Sequence, residues 1–166
     1  MRPIRAYFLH GLESTLPSSK VEIMEKINWK VGAHHMNYKG YNPYEQTIEY
    51  VTKFNPDIVI GSSLGGLIAR YISTYYNIPS ILLNPALHSK NYNIDLPNEF
   101  GKFEPKIWAL LGGNDMVVNF HQNRREMKKI NASIFIDNHA HRTPADIFNK
   151  FILKILPEIQ STIFSN

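Results

Sequence analysis

The run Ile58-Val59-Ile60-Gly61-Ser62-Ser63-Leu64-Gly65-Gly66 constrains this chain more than any other stretch. Three successive β-branched apolar residues read as a buried strand. From Leu64 onward, Leu67, Ile68, Tyr71, Ile72 and Tyr75 fall at i+3, i+4, i+7, i+8 and i+11, the stripe of one helix face. Strand and helix are therefore joined by a sharp turn, and Ser63 stands in it between Gly61 and Gly65. Gly-x-Ser-x-Gly alone is a weak signal. Between a strand and a helix it is the setting of a nucleophile elbow, where a strained turn leaves no room for side chains around the serine. Ser63 is the expected nucleophile; its neighbour Ser62 lacks the glycine-flanked position.

The remaining chain repeats the strand–helix alternation. Ile4 to Leu9 reads as a buried strand ending in His10-Gly11-Leu12, followed by a polar loop from Glu13 to Ser18. Ser19 with Glu22 suggests a capping box for a helix presenting Val21, Met24 and Ile27. Alternation predicts a strand over Lys30 to Tyr38. Asn42, Pro43 and Glu45 form a helix start, with Tyr44, Ile48 and Val51 on one face and Asn55-Pro56 as the stop. Strands are expected at Asp57 to Gly61, Ser80 to Leu83, Lys106 to Leu111 and Ser133 to Ile136, with a helix from Asn119 to Ile130. Thr143 and Pro144 open a last helix whose stripe is Ile147, Phe148, Phe151, Ile152 and Ile155, with Pro157 as a kink or an end, or with the helix continuing over Glu158 to Phe164. Such alternation specifies a three-layer α/β/α sandwich around a mostly parallel sheet. At 166 residues the chain fits one domain over 1–166. Ligands of such sheets bind beyond the carboxyl ends of the strands. His10-Gly11, Ser63, Asp115 and His139/His141 all stand there.

A serine hydroxyl needs a base to take its proton. Histidine has the right pKa, and a carboxylate then fixes its tautomer. Asp115 follows a strand and a double glycine; Asp95 and Asp137 are its rivals. His139 and His141 both follow the last strand, and residue types alone do not choose between them. The order Ser63, Asp115, late His is that of hydrolases of this topology. Two oxyanion donors are expected, the N–H of Leu64 at the helix start and that of Leu12 after the first strand. His10 and Gly11 would line the site. His34, His35, His88 and His121 have no supporting pattern, and no HExxH-like metal spacing occurs. Neither metal nor cofactor is expected.

Bulk properties narrow the partners. The net charge of +4 is mild, and its densest basic cluster, Arg124-Arg125-Glu126-Met127-Lys128-Lys129, reads as a solvated helix face rather than a nucleic-acid footprint. There is no cysteine, hence no disulfide and no thiolate chemistry. No segment approaches the roughly 20 apolar residues of a membrane span, and the apolar run Ala6 to Leu9 is too short for a signal peptide. A cytoplasmic protein acting on a small molecule is the expectation; oligomeric state is not encoded legibly. Leu87 to Pro105 has no pattern. It reads either as a small cover, with Tyr92, Phe100 and Phe103 forming an acyl pocket, or as a surface loop.

Phe8-Leu9-His10-Gly11, Gly61-Ser62-Ser63-Leu64-Gly65-Gly66, Asn84-Pro85, Gly113-Asn114-Asp115 and His141-Arg142 together resemble the α/β-hydrolase superfamily, and within it the small YqiA-like esterases without a large lid. The resemblance implies a carboxylic-ester or thioester hydrolase for short-to-medium acyl groups, with Ser63, Asp115 and a late His as triad. It favours His141, which precedes a basic residue, with His139 second. The chain departs from the family in having Leu12 after His-Gly, Met116 after the triad Asp, and Asn138-His139-Ala140 where glycines are usual. The alternative is a non-catalytic ligand- or protein-binding module on the same fold.

Overall fold

The computed structural model describes residues 1–12, 14–40, 42–88 and 94–165. The elements are β1 (Ile4–Leu9), α1 (Ser18–Lys26), β2 (Trp29–Ala33), α2 (Pro43–Phe54), β3 (Ile58–Ser62), α3 (Leu64–Tyr76), β4 (Ser80–Leu83), β5 (Ile107–Gly112), α4 (Phe120–Lys129), β6 (Ser133–Asp137) and α5 (Ala145–Phe164). The sheet is six-stranded and parallel throughout, in the order β2-β1-β3-β4-β5-β6. Period-two alternation sorts the side chains between its faces. Ile4, Ala6, Phe8, Ile58, Ile60, Ile81, Leu83, Trp108 and Leu110 pack with Met24 of α1 and with Phe148, Phe151, Ile152, Ile155 and Ile159 of α5. Tyr7, Leu9, Val59, Leu82, Ala109 and Leu111 pack with Val51 of α2, Leu64 to Ile72 of α3 and Met127 of α4. The architecture is the expected α/β/α sandwich. Among the described residues, no helix is long and apolar enough to cross a membrane.

Several local expectations fail, each for a physical reason. The Ser19/Glu22 capping box does not form: α1 starts after Pro17 and has no side-chain cap. A cap contributes about 1 kcal/mol. Burying Met24 completely contributes roughly 1.5–3 kcal/mol, so packing alone holds this helix. Strand β2 stops at Ala33 rather than Tyr38 because its partner β1 ends one residue past the Phe8–Ala33 pairing. Asn42 precedes α2 in a left-handed conformation (φ 46°), and its side chain donates to Glu45 instead of capping the backbone. Thr143 does not cap α5; Pro144 holds that position. Pro157 lies inside α5 without ending it. Proline costs a helix about 3 kcal/mol, but Ile155 and Ile159 on either side are buried and keep the helix on the sheet.

Among its described residues, the connection from β4 to β5 carries no helix. Its described part runs against the distal half of α3. There Gly101 N–H donates to Thr74 Oγ1 (3.0 Å), Phe103 N–H to the Thr74 carbonyl (3.1 Å), and the Tyr75 hydroxyl to the Glu99 carbonyl (2.9 Å). The Arg70 guanidinium lies over the Phe100 ring at 3.6 Å.

Candidate active site

The turn after β3 places Ser63 at φ 54°, ψ −120°, a conformation that costs a non-glycine residue on the order of 1–3 kcal/mol. The surroundings over-determine it. Ser63 N–H donates to the Leu83 carbonyl (3.0 Å), and the Ser63 carbonyl accepts from Gly66 (3.0 Å), Leu67 (3.3 Å) and Ala86 (2.8 Å). The flanking glycines are required by contact. A Cβ on Gly61 would lie 2.3 Å from the Gly65 carbonyl oxygen, and one on Gly65 would lie 2.2 Å from that of Leu9. Backbone stands on both sides of the turn, so no rotamer change could make room.

His141 is within hydrogen-bond distance of Ser63 through Nε2 (2.8 Å to Oγ) and of Asp115 through Nδ1 (2.8 Å to Oδ2). The Asp115 side chain is 2% exposed and that of His141 is 18% exposed, so the bond between them is largely shielded from water. The second Asp115 oxygen accepts the N–H groups of Val117 (2.8 Å) and Val118 (2.9 Å), fixing the carboxylate plane. The β5 and β6 ends are tied together: Gly113 N–H donates to the Asp137 carbonyl (2.9 Å), and Asn114 N–H to that of His139 (3.1 Å). Asp137 and Asp95 are exposed and stand outside this arrangement.

His139 points elsewhere. It is buried, with Nε2 at 3.3 Å from both Asn84 Nδ2 and Thr143 Oγ1, and burial lowers its pKa. His10 is also buried. Its Nδ1 contacts the Gly11 carbonyl (2.8 Å) and its Nε2 accepts the Met36 N–H (2.9 Å), which fixes a neutral tautomer; burial lowers its pKa as well. Ser14 Oγ donates to the same Gly11 carbonyl (3.1 Å). A trans peptide sets N–H opposite C=O, so the Leu12 N–H points away from that cluster. Gly11 borders the serine directly, since a Cβ there would lie 3.0 Å from Ser63 Cβ. Leu64 is the first residue of α3, where the N–H has no partner within the helix.

Asn84 was read from the sequence only as half of an Asn-Pro pair, yet it links the site together. Fully buried and left-handed (φ 42°), it accepts the Gly112 N–H through Oδ1 (2.7 Å) and donates through Nδ2 to the His141 carbonyl (2.7 Å). An asparagine after a strand tolerates φ > 0, but nothing in the sequence shows what its amide reaches. Phe100 is not an acyl-pocket residue. It stacks with Tyr71 (4.3 Å) and Arg70, about 12 Å along α3 from the serine. Phe103 is exposed, and Tyr92 lies outside the described residues. The charged side chains of Arg124, Arg125, Lys128 and Lys129 face solvent while Met127 is buried, the geometry of a solvated helix face. Among the described residues, no group of three or more His, Asp or Glu could hold a metal ion.

The fold is shared with several solved structures. A Xanthomonas campestris pv. campestris protein assigned to the alpha/beta hydrolase superfamily superposes with a TM-score of 0.73 at 16% identity, covering 93% of this chain and 99% of that one. Est1E from Butyrivibrio proteoclasticus gives 0.74 at 13% identity over 96% and 89%. FphF of Staphylococcus aureus, a fluorophosphonate-binding serine hydrolase, gives 0.67 at 16% identity over 96% and 84%. At such identities the likeness is one of fold. No curated protein matches the chain by sequence. A family model does match, over residues 6–100 and so more than half the chain, and the chain therefore belongs to the uncharacterised protein family UPF0227, the YqiA-like group that its motifs resemble.

Proposed function

We propose that this chain is a single-domain serine hydrolase that cleaves carboxylic esters or thioesters of small, short-to-medium acyl substrates through an acyl-enzyme. One observation carries the reading: the continuous Ser63–His141–Asp115 chain of two 2.8 Å contacts, ending on a strained serine. With Nδ1 protonated toward Asp115, the His141 Nε2 lone pair takes the Ser63 hydroxyl proton as Oγ attacks the acyl carbonyl. The N–H groups of Leu64 and Leu12 receive the oxyanion. His141 then protonates the leaving alcohol or thiol, and water repeats the sequence on the acyl-enzyme. Neither metal nor cofactor has a part in this scheme. Met116 and Val117, both exposed directly after Asp115, offer an apolar rim for an acyl chain. A cytoplasmic location accords with the cysteine-free composition.

A fluorophosphonate probe should add one adduct by intact mass in wild type and none in Ser63→Ala. No adduct in wild type, or one retained in Ser63→Ala, would sink the proposal. On p-nitrophenyl acetate, His141→Ala should abolish turnover. If only His139→Ala does so, His139 is the base instead.

A further inference from the structure

A cavity of about 330 Å³ opens beside the Ser63 turn, at the low end of small-molecule pockets. Ser62 and Arg142 form part of its wall, and they are the chain neighbours of Ser63 and His141. A group seated there belongs to a molecule whose reacting carbonyl lies close to the serine. Lys20, Ser14, Thr15, Thr143 and the His10 ring complete the polar lining, which among the described residues holds two cations, four hydroxyls and an imidazole and no carboxylate.

Three cations elsewhere sit in ion pairs, while others, such as Arg124, Arg125 and Lys128, have none among the described residues. Arg2 pairs with Asp57, Lys106 with Glu158 and Lys129 with Glu126. Among the described residues, neither Lys20 nor Arg142 has an acidic partner. Lys20 is half-buried. Its ammonium lies 5.9 Å from the Phe148 ring, at the limit of a cation–π interaction. Burial lowers its pKa. An ammonium that has lost water without gaining a counter-charge is under-stabilised, and an anion in the cavity would restore the balance. The Ser62 and Thr15 hydroxyls would complete its coordination.

We propose that the substrate carries an anionic group, a carboxylate or phosphate, held between Lys20 and Arg142 while the ester or thioester carbonyl meets Ser63. This rests on the hydrolase reading and narrows it from esters in general to negatively charged ones. The anion can sit on the acyl or the alcohol side of the ester, and two matched pairs separate these sources. One is 4-nitrophenyl hemiglutarate against its neutral methyl ester. The other is O-acetylglycolate against methyl O-acetylglycolate.

In wild type, the charged member of one pair should exceed its neutral partner in kcat/KM by on the order of tenfold at low salt, with the advantage shrinking in 0.5 M salt. Lys20→Glu and Arg142→Glu should each collapse or invert that ratio. A ratio near one in both pairs, or a ratio that survives both substitutions, overturns the inference while leaving the hydrolase reading intact. If wild type turns over no ester, the hydrolase reading fails instead. Calorimetry with glutarate and inorganic phosphate then decides the cavity alone: binding in wild type that is lost in Lys20→Glu supports it, and no binding in wild type ends it.

Discussion

Replacing Asn84 with alanine tests whether the histidine is positioned by backbone clamping. The substitution removes an acceptor from the Gly112 N–H and a donor from the His141 carbonyl, each now bonded at 2.7 Å, the first in a buried and the second in a partly buried setting. A buried polar group left without its partner costs roughly 1–3 kcal/mol. Alanine at φ 42° costs about 1 kcal/mol more than a residue suited to left-handed backbone. The expected loss is about 4 kcal/mol, or roughly 8–16 °C of Tm in a chain of this size. The kinetic consequence is separate. With its carbonyl released, His141 loses its registration against Ser63 Oγ, and a shift of an ångström there costs on the order of 100-fold. In Asn84→Asp the Oδ1 bond to Gly112 survives and the donor to His141 is lost. This variant should therefore lower kcat on p-nitrophenyl acetate with little change in KM, and slow fluorophosphonate labelling in parallel. A lowered Tm with wild-type kcat in both variants would show that Asn84 braces the fold without positioning the base. A Tm within 3 °C of wild type for Asn84→Ala would refute the burial argument itself.

Two further outcomes follow from the same structure. Ser63→Gly should abolish turnover and raise Tm by a few degrees, because glycine relieves on the order of 1–3 kcal/mol of backbone strain and returns less than 1 kcal/mol through a looser unfolded chain; an unchanged or lower Tm in thermal denaturation would mean the turn is unstrained. Stability should fall as pH drops below 6.5, since His10, His139 and His34 all have pKa values lowered in the fold, His34 to about 4, each chiefly by burial. The unfolded chain then binds more protons than the native one, so stability is full above pH 6.5 and is lost between there and pH 4, by at most about 1.4 kcal/mol per pH unit for each histidine and less for the partly exposed His34. Urea midpoints from pH 7.5 to 4.5 measure this.

The layers of the fold were legible because apolar periodicity is a global signal. Val59 and Ile60 must face opposite sides of the sheet, and both are fully buried. The Leu64-to-Ile72 stripe likewise had to meet a core. Signals worth less than packing failed. The Ser19/Glu22 box lost to burial of Met24, and at Pro157 the buried isoleucines around it chose the continuing helix over a stop. The β4–β5 connection was illegible because its contacts are specific to the groove it lies in. Phe100, an acyl-pocket candidate by residue type, lies instead against Arg70 and Tyr71.

The site divides in the same way. The serine turn is legible because Gly61 and Gly65 are forced by backbone contact, whereas the histidine is not. His139 and His141 are two residues apart on a loop, and what separates their roles is which carbonyls that loop commits. The His139 carbonyl binds Asn114 N–H and the His141 carbonyl binds Asn84 Nδ2, which turns one ring inward against Thr143 and the other toward Ser63. The same device recurs on the other two loops. The Gly11 carbonyl is taken by Ser14 and contacted by His10, and the Ser63 carbonyl by three backbone donors. The ends of β1, β3 and β6 thus each have a carbonyl anchored by a group from outside the strand. Burial makes such anchoring obligatory, since an unpaired carbonyl there would cost more than the anchoring residue loses in freedom. Polar residues such as Asn84, Ser14 and His10 therefore hold the geometry of the site without taking part in its chemistry, and because any donor of suitable reach would serve, their residue types leave no pattern for a sequence to display.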